Sequence, residues 1–267
     1  MARITLARPE RGNAITLDTG RELAECVERA NLDPAVHVIA LAGSGKGFCG
    51  GYDLVEFAEG GEGADGEAAG PPGSPLDPAV QRANHDPGRV WDPIVDYQMM
   101  SRNVRGFMSL FRSDKPVVCK VHGFCVAGGS DLALCADLLV IEDAARIGYP
   151  PARVWGVPTT ALWVSRVGAQ RAKRLLFTGD LVSGAQAAEW GLALEAHPAA
   201  RLDEAFEALL ERIALLPVNQ LVMMKLVVNQ AVESQALAAT QTLSTLLDGV
   251  ARHTPEGYAF QEHAAAE

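Results

Sequence analysis

Nowhere in this 267-residue chain do about eighteen apolar residues run consecutively, so the sequence offers no membrane-crossing helix. Met1 to Pro9 also lacks the basic segment and long apolar run of a secretory signal, and a soluble, cytoplasmic protein is expected. Basic residues are scarce: 23 Lys and Arg stand against 33 Asp and Glu, a formal net charge of −10. Binding a phosphate backbone needs a basic surface, so neither nucleic acid nor an anionic membrane is expected as a partner. Cysteine is sparse and unpaired in pattern. Cys26, Cys49, Cys119, Cys125 and Cys135 form no C-x-x-C pair, and their odd number fits neither a disulfide framework nor a zinc site, so no metal is expected.

What is present is an ordinary globular composition, 48% hydrophobic and 21% charged, in a chain long enough for one large core. Arg3-Ile4-Thr5-Leu6 reads as a strand, and Asp18 as the cap of a helix running to about Arg29. Val36–Ala42, Val117–Val121 and Leu138–Glu142 are apolar, β-branched strand candidates. Tyr97–Phe111 and a segment opening near Ser130 and running through Cys135 read as helices, and Ser183 to Gln186 as the capping box of a helix closed by Gly191. Leu192–Glu195 is a possible short strand. Arg201–Leu215, Asn219–Val232 and Gln235–Ala251 carry apolar residues at helical spacing, as core faces or subunit contacts do. The pattern is α/β. A core over residues 1–195 carries a Gly-, Pro- and acid-rich insertion at about 59–93, read as a surface loop or a lid, and 196–267 is a helical carboxyl-terminal region.

Two glycine-bearing loops hold the chemistry. The first packs Gly43, Gly45, Gly47, Gly50 and Gly51 into eleven residues, and the second runs from Gly123 to Gly129. Gly43 to Gly47 is not a phosphate loop of the Walker type, because Gly47 follows Lys46 where Ser or Thr is required. No dinucleotide fingerprint opens a helix either. Each loop follows a strand and the second feeds a helix, so backbone N–H groups from both are placed to converge on one oxygen.

The segments Leu6-Ala7-Arg8-Pro9-Glu10-Arg11-Gly12-Asn13-Ala14-Ile15, Gly45-Lys46-Gly47-Phe48-Cys49-Gly50-Gly51-Tyr52-Asp53-Leu54 and Val121-His122-Gly123-Phe124-Cys125-Val126-Ala127-Gly128-Gly129-Ser130-Asp131-Leu132 resemble the crotonase, or enoyl-CoA hydratase/isomerase, superfamily. The likeness continues through Thr178-Gly179-Asp180, Ala187-Ala188-Glu189-Trp190-Gly191-Leu192 and Glu256-Gly257-Tyr258-Ala259-Phe260, nearly the whole chain. It implies a crotonase-like ββα spiral core, a helical carboxyl-terminal trimerisation region, and a homo-trimer or dimer of trimers. It also implies an acyl-CoA substrate, with coenzyme A belonging to that substrate and no separate cofactor.

Carried onto this chain, the resemblance makes the N–H groups of Tyr52 and Gly128 the oxyanion donors for a thioester enolate. It assigns proton transfer or water orientation to Asp131, one methylene shorter than the usual glutamate. The family's second glutamate is Pro151, which transfers no proton; Tyr149, His122, His85 and Asp53 are candidates to compensate. Arg11 and Ala14 are implied near the coenzyme A entrance, Cys49, Gly51, Leu54 and Phe124 along the pantetheine and acyl path, and Lys46 within reach of a phosphate. The tail Gln261–Glu267 lacks the family's basic residues, and relatives carry a strand before the one that opens here. The expected activity is that of an enoyl-CoA hydratase. The alternatives are an enoyl- or dienoyl-CoA isomerase, a carbon–carbon bond hydrolase, and a non-catalytic acyl-CoA binder.

Overall fold

The computed structural model describes residues 1–54 and 70–264. Five strands, β1 (Ala2–Leu6), β2 (Ile39–Gly43), β3 (Val117–Val121), β5 (Leu138–Glu142) and β8 (Glu195–His197), form an all-parallel sheet in the order β1-β2-β3-β5-β8. A second sheet holds β4 (Phe124–Val126), β6 (Arg146–Gly148) and β7 (Leu181–Ser183), with β4 and β6 parallel and β6 and β7 antiparallel. The chain alternates between the sheets, β3 to β4 and β5 to β6, with a helix or helical turn after each pair. This is the expected ββα succession.

Both faces of the large sheet are covered, as a parallel sheet requires. One packs under α1 (Thr19–Leu32) and α3 (Pro93–Phe111) through Ile39, Leu41, Val117 and Cys119. The other, through Val38, Ala40, Val118 and Val140, receives Leu202, Phe206 and Leu210 of α7 (Ala199–Ala214). Fully burying each Val, Ile, Leu or Phe side chain among these contributes roughly 1.5–3 kcal/mol.

β3 and β5 occupy the residues that their apolar runs predict. β2 starts later than expected because Asp33 holds a turn through Val36 N–H and Ala35 N–H. β8 starts later because the N–H groups of Leu192 and Ala193 close α6 (Gly184–Trp190) on Ala187 O. Ser183 does cap that helix, accepting from Gln186 N at 3.2 Å, whereas Asp18 pairs with Arg21 at 2.8 Å instead of capping α1. Of the segment expected to be loop or lid, 59–69 lies outside the described residues. The rest contains α2 (Pro78–His85), nucleated by Asp77 accepting from Ala79 N at 2.8 Å with proline in its first turn.

After α4 (Gly128–Leu134) and α5 (Trp163–Thr178, broken at Gly168), the carboxyl-terminal part continues through α8 (Val218–Glu233), α9 (Leu237–Arg252) and α10 (Pro255–Ala264). Here much of the apolar stripe does not face the core of this chain. On α8, Met223, Met224, Leu226 and Val227 are exposed, and Lys225 is buried, 2.7 Å from Asp137. On α9, Leu243, Leu247 and Val250 are exposed while Gln241, Ser244, Asp248 and Arg252 face inward. That polar face is fixed to the core by Gln241 Nε2 donating to Thr160 O, Ser244 Oγ to Thr159 O, and Val157 N to Asp248 Oδ1.

Candidate functional site

The two glycine loops are zipped together by backbone pairing. Phe48 N donates to Phe124 O at 2.8 Å, Val126 N to Cys49 O at 3.0 Å, and Cys49 and Cys125 form a parallel bridge. Tyr52 is held from the other side, because Ile15 N donates to Gly51 O at 2.8 Å and Asp53 N to Ile15 O at 2.9 Å. Asn13 ties the amino-terminal loop to the same frame: its Nδ2 lies 2.8, 3.0 and 3.0 Å from the carbonyl oxygens of Ser44, Gly47 and Phe48.

Ala127, which opens α4, has φ 54° and ψ −132°, a conformation strained for a residue with a β-carbon. The turn is held by Ala127 N and Ser130 Oγ, both donating to Gly148 O. Ser130 N and Asp131 N return to Ala127 O, while Gly128 N finds no acceptor among the described residues, as expected at a helix start. Gly51 and Gly128 are in close approach: a β-carbon on Gly51 would stand 3.4 Å from Gly128 N.

These loops wall a cavity of about 550 Å³. Arg11, Ala14, Tyr52, Leu54 and Gly128 line it. The other expected residues lie outside the wall. Cys49 is fully buried, donating to Asn13 O at 3.1 Å, with its thiol pushed up to about 12 by burial. Gly51 is buried behind Ala127, the Phe124 ring rests against Gly47 and Gly12, and Lys46 is exposed.

Asp131 lies behind the wall rather than on it. It is 1% exposed, and its oxygens accept from Thr159 N at 2.9 Å and Trp163 Nε1 at 3.1 Å. Burial pushes its carboxyl up to about 7 despite these donors. Of the candidates to compensate for Pro151, Tyr149 and Asp53 reach the cavity, Asp53 paired with Arg8 at 3.1 Å. His122 bonds to Gly45 O at 2.9 Å, and His85 stacks on His253 with centroids 4.8 Å apart. Neither lines the cavity.

The contribution of α9 to the cavity was not anticipated from sequence. It brings Asp248 and Arg252 from α9 to a cavity that also contains Tyr149, Pro151, Trp155 and Phe260. Arg252 is 2% exposed, 3.4 Å from Asp96 and 3.5 Å from Asp248. Asp96 is further held by Trp91 Nε1 at 2.7 Å and His253 Nε2 at 3.0 Å. Burial, aided by Arg252, lowers the His85 imidazole to about 4, so this group is neutral at pH 7. The sequence signal was the i,i+4 spacing of Asp248 and Arg252, ordinarily that of a solvated pair.

A family profile described as enoyl-CoA hydratase/isomerase matches residues 1–80 and 93–264. The sequence is 31% identical over 193 residues to the mevalonyl-coenzyme A hydratase of Beauveria bassiana, covering 71% of this chain and 60% of that one, so the match spans about three fifths of the fungal protein. It is 28% identical over 248 residues to the 1,2-epoxyphenylacetyl-CoA isomerase of Escherichia coli, covering 92% and 82% respectively. The crystal structure of an enoyl-CoA hydratase from Mycobacterium smegmatis superposes with a TM-score of 0.92 at 56% identity, covering 99% of this chain and 86% of that one.

Proposed function

The chain belongs to the enoyl-CoA hydratase/isomerase family, and within it we propose an enoyl-CoA hydratase-like enzyme that works through an oxyanion-stabilised enolate. The observation that carries this reading is the meeting of Tyr52 and Gly128, from separate loops, on one cavity wall. In the proposal their N–H groups donate to the thioester oxygen. Negative charge collects there as the α,β-unsaturated thioester becomes an enolate, and each such donor lowers the barrier by about 3–4 kcal/mol. Because the backbone is already fixed by the loop pairing, no reorganisation is needed during the reaction.

Arg11 and Ala14 enter as residues near the coenzyme A end, and Leu54 as part of the acyl path. Asp131 enters as a proton-transferring carboxyl: a group pushed up to about 7 exchanges protons readily at neutral pH. To meet the acyl chain it has to release Trp163 Nε1 or Thr159 N. The exposed apolar face of α8 is the surface that the proposed trimer would cover.

The test is turnover of a short 2-enoyl-CoA, followed by loss of the conjugated thioester absorbance with chromatography of the product. A 3-hydroxyacyl-CoA is expected. Pro151 in the cavity wall favours a second reading, double-bond isomerisation, which needs only one group to carry a proton between carbons; that reading predicts a regioisomer. No turnover and no exchange of α-protons in heavy water, with acyl-CoA still bound, would leave only a binder.

A further inference from the structure

We propose that Asp248, on α9, is the second proton-transferring carboxylate of this site, acting from the helix side of the cavity in place of the glutamate absent at Pro151. The inference rests on the enolate chemistry proposed above and identifies which group handles the water. Gly156 (φ 120°) marks the meeting point. Around the place where its β-carbon would stand are Pro151 Cβ at 3.3 Å, the Tyr149 hydroxyl at 3.4 Å and Asp248 Oδ1 at 3.7 Å. A carboxylate on α9 therefore faces the same corner of the cavity as the side chain of Pro151.

Two carboxylates line the cavity among the described residues, Asp53 and Asp248. Asp53 is paired with Arg8. Asp248 retains acceptor capacity: Oδ1 takes Val157 N at 3.1 Å, and Oδ2 faces Arg252 at 3.5 Å, beyond a good hydrogen bond. Its position is fixed, because Ser244 and Gln241 anchor the same helix face one and two turns earlier. The charged and titratable groups around it are Arg252 on its own helix, Asp96 on α3, and Tyr149 and Tyr52 from the loop side. Burial, the largest influence, and Asp96 raise the Asp248 carboxyl above its ordinary value, while Arg252 and Val157 N–H oppose them. Such a group accepts a proton more readily than an exposed aspartate.

In hydration, Asp248 takes a proton from water as the water oxygen bonds to Cβ. The Cα=Cβ electron pair moves toward the thioester, giving the enolate at Tyr52 and Gly128. Released from Trp163 Nε1 or Thr159 N, Asp131 gives the enolate a proton at Cα. Asp248 then loses its proton to solvent and Asp131 regains one, so the net change is addition of one water.

The experiment compares wild type, Asp248→Asn, Asp248→Glu and the double variant Asp248→Asn/Pro151→Glu on crotonyl-CoA, with thermal unfolding as the check on folding. Asp248→Asn is expected to lower kcat by at least ~100-fold with KM within about twofold. The double variant, which returns a carboxylate to the family position, is expected to recover at least ~10-fold over Asp248→Asn. Asp248→Glu keeps the charge opposite Arg252; should Asp248→Asn not fold, it carries the test by a lowered kcat and a displaced ionisation in the pH profile. Wild-type kcat in Asp248→Asn, or an unchanged kcat and pH profile in Asp248→Glu, overturns the proposal. A wild-type protein inert toward every enoyl-CoA, with no α-proton exchange, removes the enolate reading instead.

Discussion

The two walls of the cavity are built by opposite means. The loop wall is backbone: Tyr52 and Gly128 are set by pairing among residues 12–15, 48–53 and 124–128, and the donors there are main-chain N–H groups rather than side chains. The helix wall is side chain: Asp248 and Arg252 project from α9, their positions fixed by other buried polar groups. A backbone wall holds one geometry whatever the substrate. A side-chain wall can be rewritten one residue at a time, and in this family, where relatives are named as hydratases and isomerases, that is where reactions are free to diverge. Damage to the first wall is therefore expected in rate, and damage to the second in stability as well.

The largest expected effect is on the helix wall. Arg252 lies between two buried carboxylates, Asp96 and Asp248. Arg252→Met keeps much of the volume but leaves both anions without their shared cation, and removing one member of a buried ion pair costs about 3–5 kcal/mol. Denaturant unfolding should show a lower midpoint with an unchanged slope. A midpoint equal to wild type would mean that the cluster is not held by charge, and the contrast between the walls would fail there.

On the loop wall the expected loss is slightly smaller and kinetic. A β-carbon at Gly128 would stand 2.7 Å from Tyr52 Cε2 and 3.1 Å from Ile15 Cδ1, so Gly128→Val forces Tyr52 aside and deforms the pair of donors. Turnover should fall by about 100- to 1,000-fold, the equivalent of one lost oxyanion donor, roughly 3–4 kcal/mol. Binding of a saturated acyl-CoA, measured calorimetrically, should change far less. A variant that keeps wild-type kcat would break the assignment of the oxyanion site.

The contrast also explains what was legible in the sequence. The frame of the loop wall is marked in order and spacing by the glycines, the strands before them and Ala127-Gly128-Gly129 at a helix start, whereas the choice of Tyr52 and Gly128 as donors comes from the family resemblance. β3 and β5 were legible because continuous apolar runs between breakers admit few other buried placements. α9 existed as a helix in the sequence, but its orientation was hidden. Helical periodicity takes the apolar stripe as inward, whereas Leu243, Leu247 and Val250 point outward and the polar stripe closes the cavity. Neutralising partners such as Asp96 lie more than 140 residues away in the chain, so nothing near Arg252 announces that it is buried.

Asp131, buried behind the loop wall, gives the smallest and most pH-dependent test. Its carboxyl is near 7 in the folded protein against an ordinary 3.8, so between those values the native state holds a proton that the unfolded chain has released. Stability drawn from this group is therefore full below about pH 3.8 and is lost as pH rises toward 7, by at most roughly 1.4 kcal/mol per pH unit. Asp131→Asn removes that titration while changing the hydrogen bonds to Trp163 and Thr159 by a pH-independent amount. The difference in unfolding free energy, variant minus wild type, should therefore rise by about 2 kcal/mol between pH 5 and 6.5 and level off above 7. A flat difference across that range would place the carboxylate as already ionised, held by Trp163 and Thr159 as a fixed structural anion, and would leave Asp248 as the proton-transferring carboxylate of the site.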